Sequence, residues 1–234
     1  MEQIYTIPVN EAFDAASEGN SRGCPFCMLA EKLENNEIDL ILGASMMEPD
    51  IRIKTNEQGF CRHHFDMMFS GKNRLGLGLI LESHLDEQKK HFSKNGLISK
   101  PGESEIRTVS RLNENCYVCS KIEYHFSKML ETAVLLWEKD PEFRKKTSRQ
   151  PYFCLPHYKR FLETASSYLS KKMFKEFYNA VEETENGYFD ALREDVSWFC
   201  KKFDYRYNDE PWKNSKDAVE RAIAFLCGRV QTKK

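Results

Sequence analysis

Apolar residues recur every three or four positions over long stretches of the chain, which is the spacing of one face of an α-helix. The clearest run follows Cys119, and its apolar positions are Ile122, Phe126, Met129, Leu130, Val134 and Trp137. Similar spacing predicts helices over residues 75–92, 168–198 and 217–227. The alternating residues 51–53 are too few to form a strand of a sheet. The pattern therefore predicts an all-α fold.

Helix-breaking residues divide this pattern into segments. Pro141 interrupts the helix that follows Cys119, and Asp140 stands where it can cap the next turn. Gly228 is placed to end the last predicted helix. Residues 96–104 contain Pro101-Gly102, and we expect the main linker of the chain there.

Cysteine and histidine residues form a second pattern. The sequence contains 8 cysteines, and six of them fall into two groups with the same order of residue types. The first group is Cys24-x2-Cys27 followed by Cys61-x2-His64, and the second is Cys116-x2-Cys119 followed by Cys154-x2-His157. The halves are separated by 33 residues in the first group and by 34 in the second. This agreement indicates an internal duplication.

These residue types at this spacing are typical of zinc sites. Structural zinc takes four tetrahedral nitrogen and sulfur ligands, and three cysteines with one histidine are a standard set. A Cys-x2-Cys turn brings two sulfurs to one ion, and a Cys-x2-His at a helix start puts both side chains on one face. We expect two zinc ions per chain in closed sites, and we assign no catalytic residue. The eight predicted ligands are Cys24, Cys27, Cys61, His64, Cys116, Cys119, Cys154 and His157.

Alignment of the two groups selects His64 over His63 as the ligand, because Pro156 stands at the position of His63 in the second group. Each copy is expected to bind its own ion, and sharing of ligands between the copies is the alternative. Cys200 and Cys227 lie outside the pattern and are expected to be small buried residues. Three other histidines are expected to be ordinary helix residues: His84, His91 and His125.

Two other chemistries use cysteines in this way. An iron–sulfur cluster can also be held by three cysteines and a histidine, so iron is an open alternative. Cys24-Pro25-Phe26-Cys27 is similar to a thiol-redox motif, but such a motif follows a β-strand, whereas a loop is predicted here. The sequence contains no phosphate-binding loop, Gly-x-Ser-x-Gly or His-Glu-x-x-His motif. A non-enzymatic binding or regulatory protein is therefore favoured, with a redox enzyme as the alternative.

The duplication suggests a division into domains. We expect a first helical module over residues 1–95, a linker over 96–110 and a second helical module over 111–197. Residues 198–234 are a predicted C-terminal helical extension, rich in aromatic and charged residues. Its aromatic side chains are expected to pack on the second module, with Asp204 and Arg206 as a local ion pair, and a binding surface is the alternative.

Charge and hydropathy narrow the classes of partner. Lys and Arg number 35 against 36 Asp and Glu, so the chain lacks the excess of cations typical of nucleic-acid binders. A basic stretch keeps nucleic acid open as an alternative, although a protein partner is favoured; it consists of Arg144-Lys145-Lys146 and Arg149, followed by Lys159-Arg160. No apolar run is long enough to span a membrane, and the N-terminus lacks the features of a signal peptide. These features predict a cytoplasmic protein, and in that reducing compartment the cysteines are not expected to form disulfides.

The paired Gly-Cys-Pro-Phe-Cys and Gly-Phe-Cys-x-x-His segments, with the opening residues 5–10 and the closing residues 202–218, resemble an uncharacterised bacterial family of anaerobic Firmicutes. The resemblance extends over essentially the whole chain. It implies eight metal ligands in a cytoplasmic bacterial protein, and it implies no substrate.

Overall fold

The all-α prediction is confirmed. The structure, a computed structural model, describes residues 3–17, 23–92 and 102–228, and in these ranges it contains eleven α-helices and no β-strand. The helices are α1 (Thr6–Ser17), α2 (Pro25–Leu42), α3 (Pro49–Gln58), α4 (Arg62–Ser70), α5 (Arg74–Phe92), α6 (Glu103–Glu114), α7 (Tyr117–Lys139), α8 (Pro141–Ser148), α9 (Leu155–Tyr168), α10 (Lys171–Lys201) and α11 (Ala218–Cys227). Residues 51–53 lie inside α3.

Helix ends follow local capping chemistry. The side chain of Asp140 accepts a hydrogen bond from the backbone N–H of Glu142 at 2.9 Å and so caps α8, as predicted. Ser170 accepts one from Met173 N–H at 3.3 Å, so the helix predicted to start at residue 168 begins as α10 three residues later. Residues 96–101 of the predicted linker lie outside the described ranges, and α6 occupies residues 103–114.

The described residues form two compact units, which we call the first and the second unit. The first unit contains the residues up to Glu31 and those from Phe126 onward, and the second contains Lys32 to His125. Both boundaries fall inside long helices, α2 and α7. The units therefore differ from the sequential division at residues 96–110, because each takes in parts of both copies.

The core of the first unit is built from phenylalanines. Phe26, at the start of α2, is fully buried, and its ring packs edge-on against Phe161 at 4.8 Å and Phe13 at 5.5 Å between centroids. The amide of Gln150 donates to the carbonyl of Phe13 at 2.9 Å, which fixes α1 beside the end of α8. This aromatic core surrounds the start of α2.

The C-terminal part of the first unit is organised around a buried lysine. Lys202 is buried, and its ammonium donates hydrogen bonds to the carbonyls of Tyr207 at 2.6 Å and Asn208 at 2.9 Å. Asp204 and Arg206 form the expected local ion pair. The carbonyl of Glu210 also accepts a hydrogen bond from Lys202. These three hydrogen bonds from one ammonium close the turn after α10.

The core of the second unit joins the end of α2 to the start of α7. Ile38, Ile41 and Leu42 pack in one buried cluster with Tyr117 and Val118. Gly59 has a φ of 64°, which favours glycine, and its carbonyl accepts a hydrogen bond from Tyr117 N–H at 3.0 Å. This bond ties the loop before α4 to the start of α7.

Candidate metal centre

All four Cys-x2-Cys and Cys-x2-His pairs lie at the N-terminus of an α-helix. Cys61 and Cys154 are the N-cap residues of α4 and α9, while Cys24 and Cys116 directly precede α2 and α7. The second residue of each pair is then the third residue of its helix. Helix N-termini carry a partial positive charge, and this favours the thiolate form of cysteine.

The structure brings the eight predicted ligands together in two groups of four, but it pairs them across the two copies. The prediction that each copy forms its own group of four is therefore wrong. The alternative holds: each group takes one Cys-x2-Cys pair from one copy and one Cys-x2-His pair from the other. Cluster 1 consists of Cys24, Cys27, Cys154 and His157, and cluster 2 consists of Cys61, His64, Cys116 and Cys119. Cluster 1 lies wholly in the first unit and cluster 2 wholly in the second.

Cluster 1 is compact and mostly buried. Sγ of Cys27 lies 3.5 Å from Sγ of Cys154. Nδ1 of His157 lies 3.2 Å from Cys154 Sγ, 3.5 Å from Cys27 Sγ and 3.7 Å from Cys24 Sγ. The three cysteines are buried and the histidine is half-buried. The ring of Phe126 packs against His157 with 5.0 Å between centroids and so holds the imidazole in place.

Cluster 2 has the same arrangement around Nδ1 of His64. This atom lies 3.1 Å from Cys61 Sγ, 3.2 Å from Cys116 Sγ and 3.6 Å from Cys119 Sγ. Sγ of Cys61 lies 3.9 Å from Sγ of Cys119. Cys116 and His64 are buried, while Cys61 and Cys119 are half-buried. Both clusters thus present one nitrogen and three sulfurs to a common centre.

These separations fit a tetrahedral metal ion. Zinc binds sulfur at about 2.3 Å and nitrogen at about 2.0–2.1 Å, so the edges of its coordination tetrahedron are roughly 3.5–3.8 Å. The hydrogen-bonded pairs of ligand atoms stand between 3.1 Å (Cys61 and His64) and 3.9 Å (Cys61 and Cys119) apart, and all four atoms of each cluster lie within 4.8 Å of one another. Each cluster could therefore hold one ion with four protein ligands.

The pKa shifts of the cluster cysteines also fit a site for a metal ion. Burial raises the pKa of Cys24 well above its ordinary value, whereas hydrogen bonds from Cys154 and Cys24 hold the pKa of Cys27 far below it. In cluster 2, the hydrogen bond with Cys119 lowers the pKa of Cys116 to about 3, and the same contact raises the pKa of Cys119. Each cluster alone thus stabilises one thiolate, at Cys27 in cluster 1 and at Cys116 in cluster 2, next to a thiol whose pKa is raised. A divalent cation would supply the charge that three adjacent thiolates need.

Glu34 lies beside cluster 2 and was not predicted from the sequence. Its Oε1 lies 3.0 Å from Nε2 of His64 and 3.0 Å from Nε2 of His63, and the carboxylate is buried. Burial alone would raise the pKa of Glu34, but the hydrogen bond from His64 and the charge of His63 hold it below the usual range. Glu34 belongs to a polar run, Glu34-Asn35-Asn36-Glu37, which is typical of a solvated helix face.

The cysteines outside the clusters differ from expectation. Cys200 and Cys227 are both exposed, so the prediction that they are buried is wrong. Cys227 lies two residues after the buried Phe225 in α11, and a two-residue step turns a side chain to the opposite face of a helix. Cys200 likewise lies off the buried stripe of α10, which runs through Phe177 and Val181.

Two histidines outside the clusters, His84 and His91, lie close to a backbone carbonyl and to a carboxylate, respectively. His84 is buried in α5, its Nδ1 lies 3.1 Å from the carbonyl of Asn56, and burial lowers its pKa. His91 lies 3.3 Å from Glu87 one turn earlier in the same helix. Neither residue belongs to a group of potential metal ligands among the described residues.

The basic stretch of α8 is engaged within the first unit. The guanidinium of Arg144 donates to the carbonyls of Trp137 and Glu138 at 2.7 and 2.8 Å. Lys145 pairs with Glu142 and Lys146 with Asp14, at 2.7 and 2.8 Å. These partners reduce the positive charge that the stretch presents to solvent.

Comparison with known proteins gives one match. The model of a family of unknown function, DUF6062, matches residues 1–233. No curated protein and no solved structure matches the chain. Among the helices that the structure describes, none has both the length and the apolar character that crossing a membrane requires.

Proposed function

Because the chain belongs to the DUF6062 family, whose function is unknown, we propose a function from its two clusters: a zinc-stabilised helical protein with a binding or regulatory role. In this proposal each cluster holds one structural zinc ion, and the ligands are the four residues of that cluster. The protein would act in a reducing compartment such as the cytoplasm, where thiols persist. We propose no catalytic role for either cluster.

One observation carries this proposal: each cluster supplies four ligand atoms around one centre, with Nδ1 of a histidine 3.1–3.7 Å from the sulfurs. Four protein ligands fill a tetrahedral zinc ion and leave no position for water or substrate, as in structural sites. A structural zinc contributes roughly 10–16 kcal/mol of apparent binding free energy, which is as large as the net stability of a domain. Loss of either ion is therefore expected to unfold its unit.

Metal analysis of the purified full-length chain tests the proposal. We expect about two zinc ions per chain by inductively coupled plasma mass spectrometry, a colourless protein and no acid-labile sulfide. A strong chelator is expected to remove both ions and to abolish the helical circular dichroism signal. A brown protein that contains iron and sulfide would indicate an iron–sulfur cluster instead of zinc. A metal-free protein that folds normally would contradict the proposal.

Thiol labelling separates structural zinc from the redox alternative. Cys200 and Cys227 are exposed and serve as internal standards for a reactive thiol in the folded protein. We expect an alkylating reagent to modify these two cysteines rapidly and the six cluster cysteines only after a chelator is added. Rapid labelling of Cys24 or Cys116 in the metal-loaded protein would favour redox chemistry instead.

A protein partner is favoured over nucleic acid because the cations of α8 have partners within the first unit. Binding of random double-stranded DNA, measured at low and physiological salt, tests this preference. We expect no binding that falls steeply with salt, which is the signature of phosphate contacts. Such binding, if lost on Lys145→Glu, would assign a nucleic-acid partner.

A further inference from the structure

The two copies differ in chemistry at two positions beside the ligands. Seven residues after the second cysteine of the knuckle, the first copy has Glu34 and the second has Phe126. Directly before the ligand histidine, the first copy has His63 and the second has Pro156. Both positions of the first copy thus carry a potential metal ligand, and both positions of the second carry a side chain that cannot bind metal.

These two differences meet at one place. Glu34 on α2 and His63 on α4 are far apart in sequence, but Oε1 of Glu34 lies 3.0 Å from Nε2 of His63. The same oxygen lies 3.0 Å from Nε2 of His64, and all three ligand atoms lie within 4.8 Å of one another. In cluster 1 the corresponding space beside His157 is filled by the ring of Phe126.

This geometry suits a cation. Zinc binds carboxylate oxygen and imidazole nitrogen at about 2.0–2.2 Å, so two of its tetrahedral ligands stand roughly 3.3 Å apart. The observed 3.0 Å separations need only small shifts to reach that value. One oxygen and two imidazole nitrogens suit late first-row divalent ions, Zn²⁺ and Cu²⁺ among them.

We propose that Glu34, His63 and Nε2 of His64 form an additional, open site for a divalent cation of this class. His64 then bridges two ions, with Nδ1 on the ion of cluster 2 and Nε2 on the added one. The Nε2 proton of His64 leaves to solvent when the added ion binds. The inference rests on the proposed zinc content of cluster 2, since bridging requires an ion on Nδ1.

The open character of the site comes from its surroundings. His63 lines a cavity of about 810 Å³, whose walls include Ile38 and Leu42 of α2 and Asp66 and Met67 of α4. Three protein ligands leave at least one coordination position of a zinc ion unfilled. That position can take water or a small ligand from the cavity, in contrast to the closed cysteine clusters.

A titration of the full-length protein, already loaded with two zinc ions, tests the inference. Added Zn²⁺ is measured against a chromophoric chelator, and Co²⁺ is used as a spectroscopic probe. We expect a third, weaker equivalent in the wild type. Its cobalt spectrum should lack the sulfur-to-metal charge-transfer band that the cysteine clusters give, because no thiolate is among its ligands.

Two variants assign the third equivalent to these residues. Glu34→Gln and His63→Ala each remove one ligand and are expected to weaken the third equivalent by more than about 100-fold, beyond the loss from an outer-shell change. Both variants should still take up the first two ions. Glu31→Gln, on an exposed part of α2, is the matched control and should bind three.

The outcomes are distinguishable. Binding that stops at two ions in the wild type, or a third ion that both variants retain, would overturn this inference and leave the two structural sites intact. The carboxylate would then act only by holding the histidines. Uptake of fewer than two zinc ions would overturn the proposed function, and with it the bridged site.

Discussion

Oε1 of Glu34 accepts a hydrogen bond from Nε2 of His64 at 3.0 Å, while Nδ1 of the same ring faces the thiols of cluster 2. Carboxylates commonly fix the orientation of a zinc-binding histidine in this way and make it a stronger ligand. Cluster 1 holds its histidine by packing instead, since the ring of Phe126 lies against His157. The two clusters therefore differ in how the histidine is held.

We expect Glu34→Gln to weaken zinc at cluster 2 by about 10–100-fold, because an amide is a poorer hydrogen-bond acceptor than a carboxylate. Zinc release to a chelator should show two phases, and the substitution should accelerate only one of them. Glu31→Gln, exposed on the same helix, should change neither phase. Unchanged kinetics in Glu34→Gln would mean that the carboxylate does not hold His64.

Pairing across the copies predicts which double substitutions share a metal site. Cys24→Ser with Cys154→Ser removes two ligands from cluster 1, so this variant should keep about one zinc ion. Cys24→Ser with Cys61→Ser removes one ligand from each cluster and should lower the affinity for both ions. The zinc content of the purified variants, measured after dialysis against a weak chelator, distinguishes them. Pairing within each copy would give the opposite result.

The eight residues that meet in the two clusters could be predicted from spacing, but their grouping could not. Gaps of 33 and 34 residues are long enough for either arrangement. Tertiary packing within the second unit decides. Phe60 packs in the same buried cluster as Tyr117, and the carbonyl of Gly59 accepts a hydrogen bond from Tyr117 N–H, so Cys61 lies beside Cys116.

Two further features lay beyond the sequence pattern for the same physical reason. Glu34 reads as part of a polar helix face, and only the fold of α4 against α2 turns it into a buried partner of two histidines. Cys200 and Cys227 lie in segments with apolar spacing, but each is turned away from the buried residues of its helix. Periodicity predicts that a helix has a buried face, and tertiary packing determines which residues that face includes.

Gly228 closes α11 beside cluster 1. Its φ of 81° and ψ of 166° lie in a backbone region that residues other than glycine rarely adopt. A Cβ there would stand 3.5 Å from Sγ of Cys154 and 3.7 Å from Sγ of Cys27, which are ordinary contacts. Any cost of a substitution therefore comes from the backbone rather than from a clash.

We expect Gly228→Ala to destabilise the protein by about 1–3 kcal/mol and to accelerate zinc release from cluster 1. Gly187→Ala is the matched control, because Gly187 lies within α10 and its added Cβ would meet nothing within 4 Å. This control should stabilise the protein by about 0.5–1 kcal/mol. Urea unfolding in excess zinc measures both effects. Equal effects of the two substitutions would show that the conformation of Gly228 is unstrained for alanine.

Glu185 on α10 is a buried carboxylate next to the loop that precedes Cys154. Its Oε2 accepts a hydrogen bond from Phe153 N–H at 3.0 Å, while its Oε1 is buried and has no hydrogen-bond partner among the described residues. Burial raises the pKa of Glu185 to about 7, although the Phe153 hydrogen bond acts in the opposite direction. The folded protein therefore holds this proton more tightly than the unfolded chain.

Because folding raises the pKa of Glu185, the protonated carboxyl contributes stability that is fully present below the pKa of the unfolded chain, near 4.5. This contribution is lost as the pH rises through about 7. Glu185→Gln keeps an acceptor for Phe153 N–H and removes the charge. We expect it to stabilise the protein by on the order of 1–2 kcal/mol at pH 8.5, after allowance for solvent screening, and to have little effect at pH 5. Glu183→Gln, exposed on the same helix, should show no such trend. Urea unfolding of the three proteins in excess zinc at pH 5, 7 and 8.5 checks this. A Glu185→Gln effect independent of pH would mean that the carboxyl does not titrate in this range.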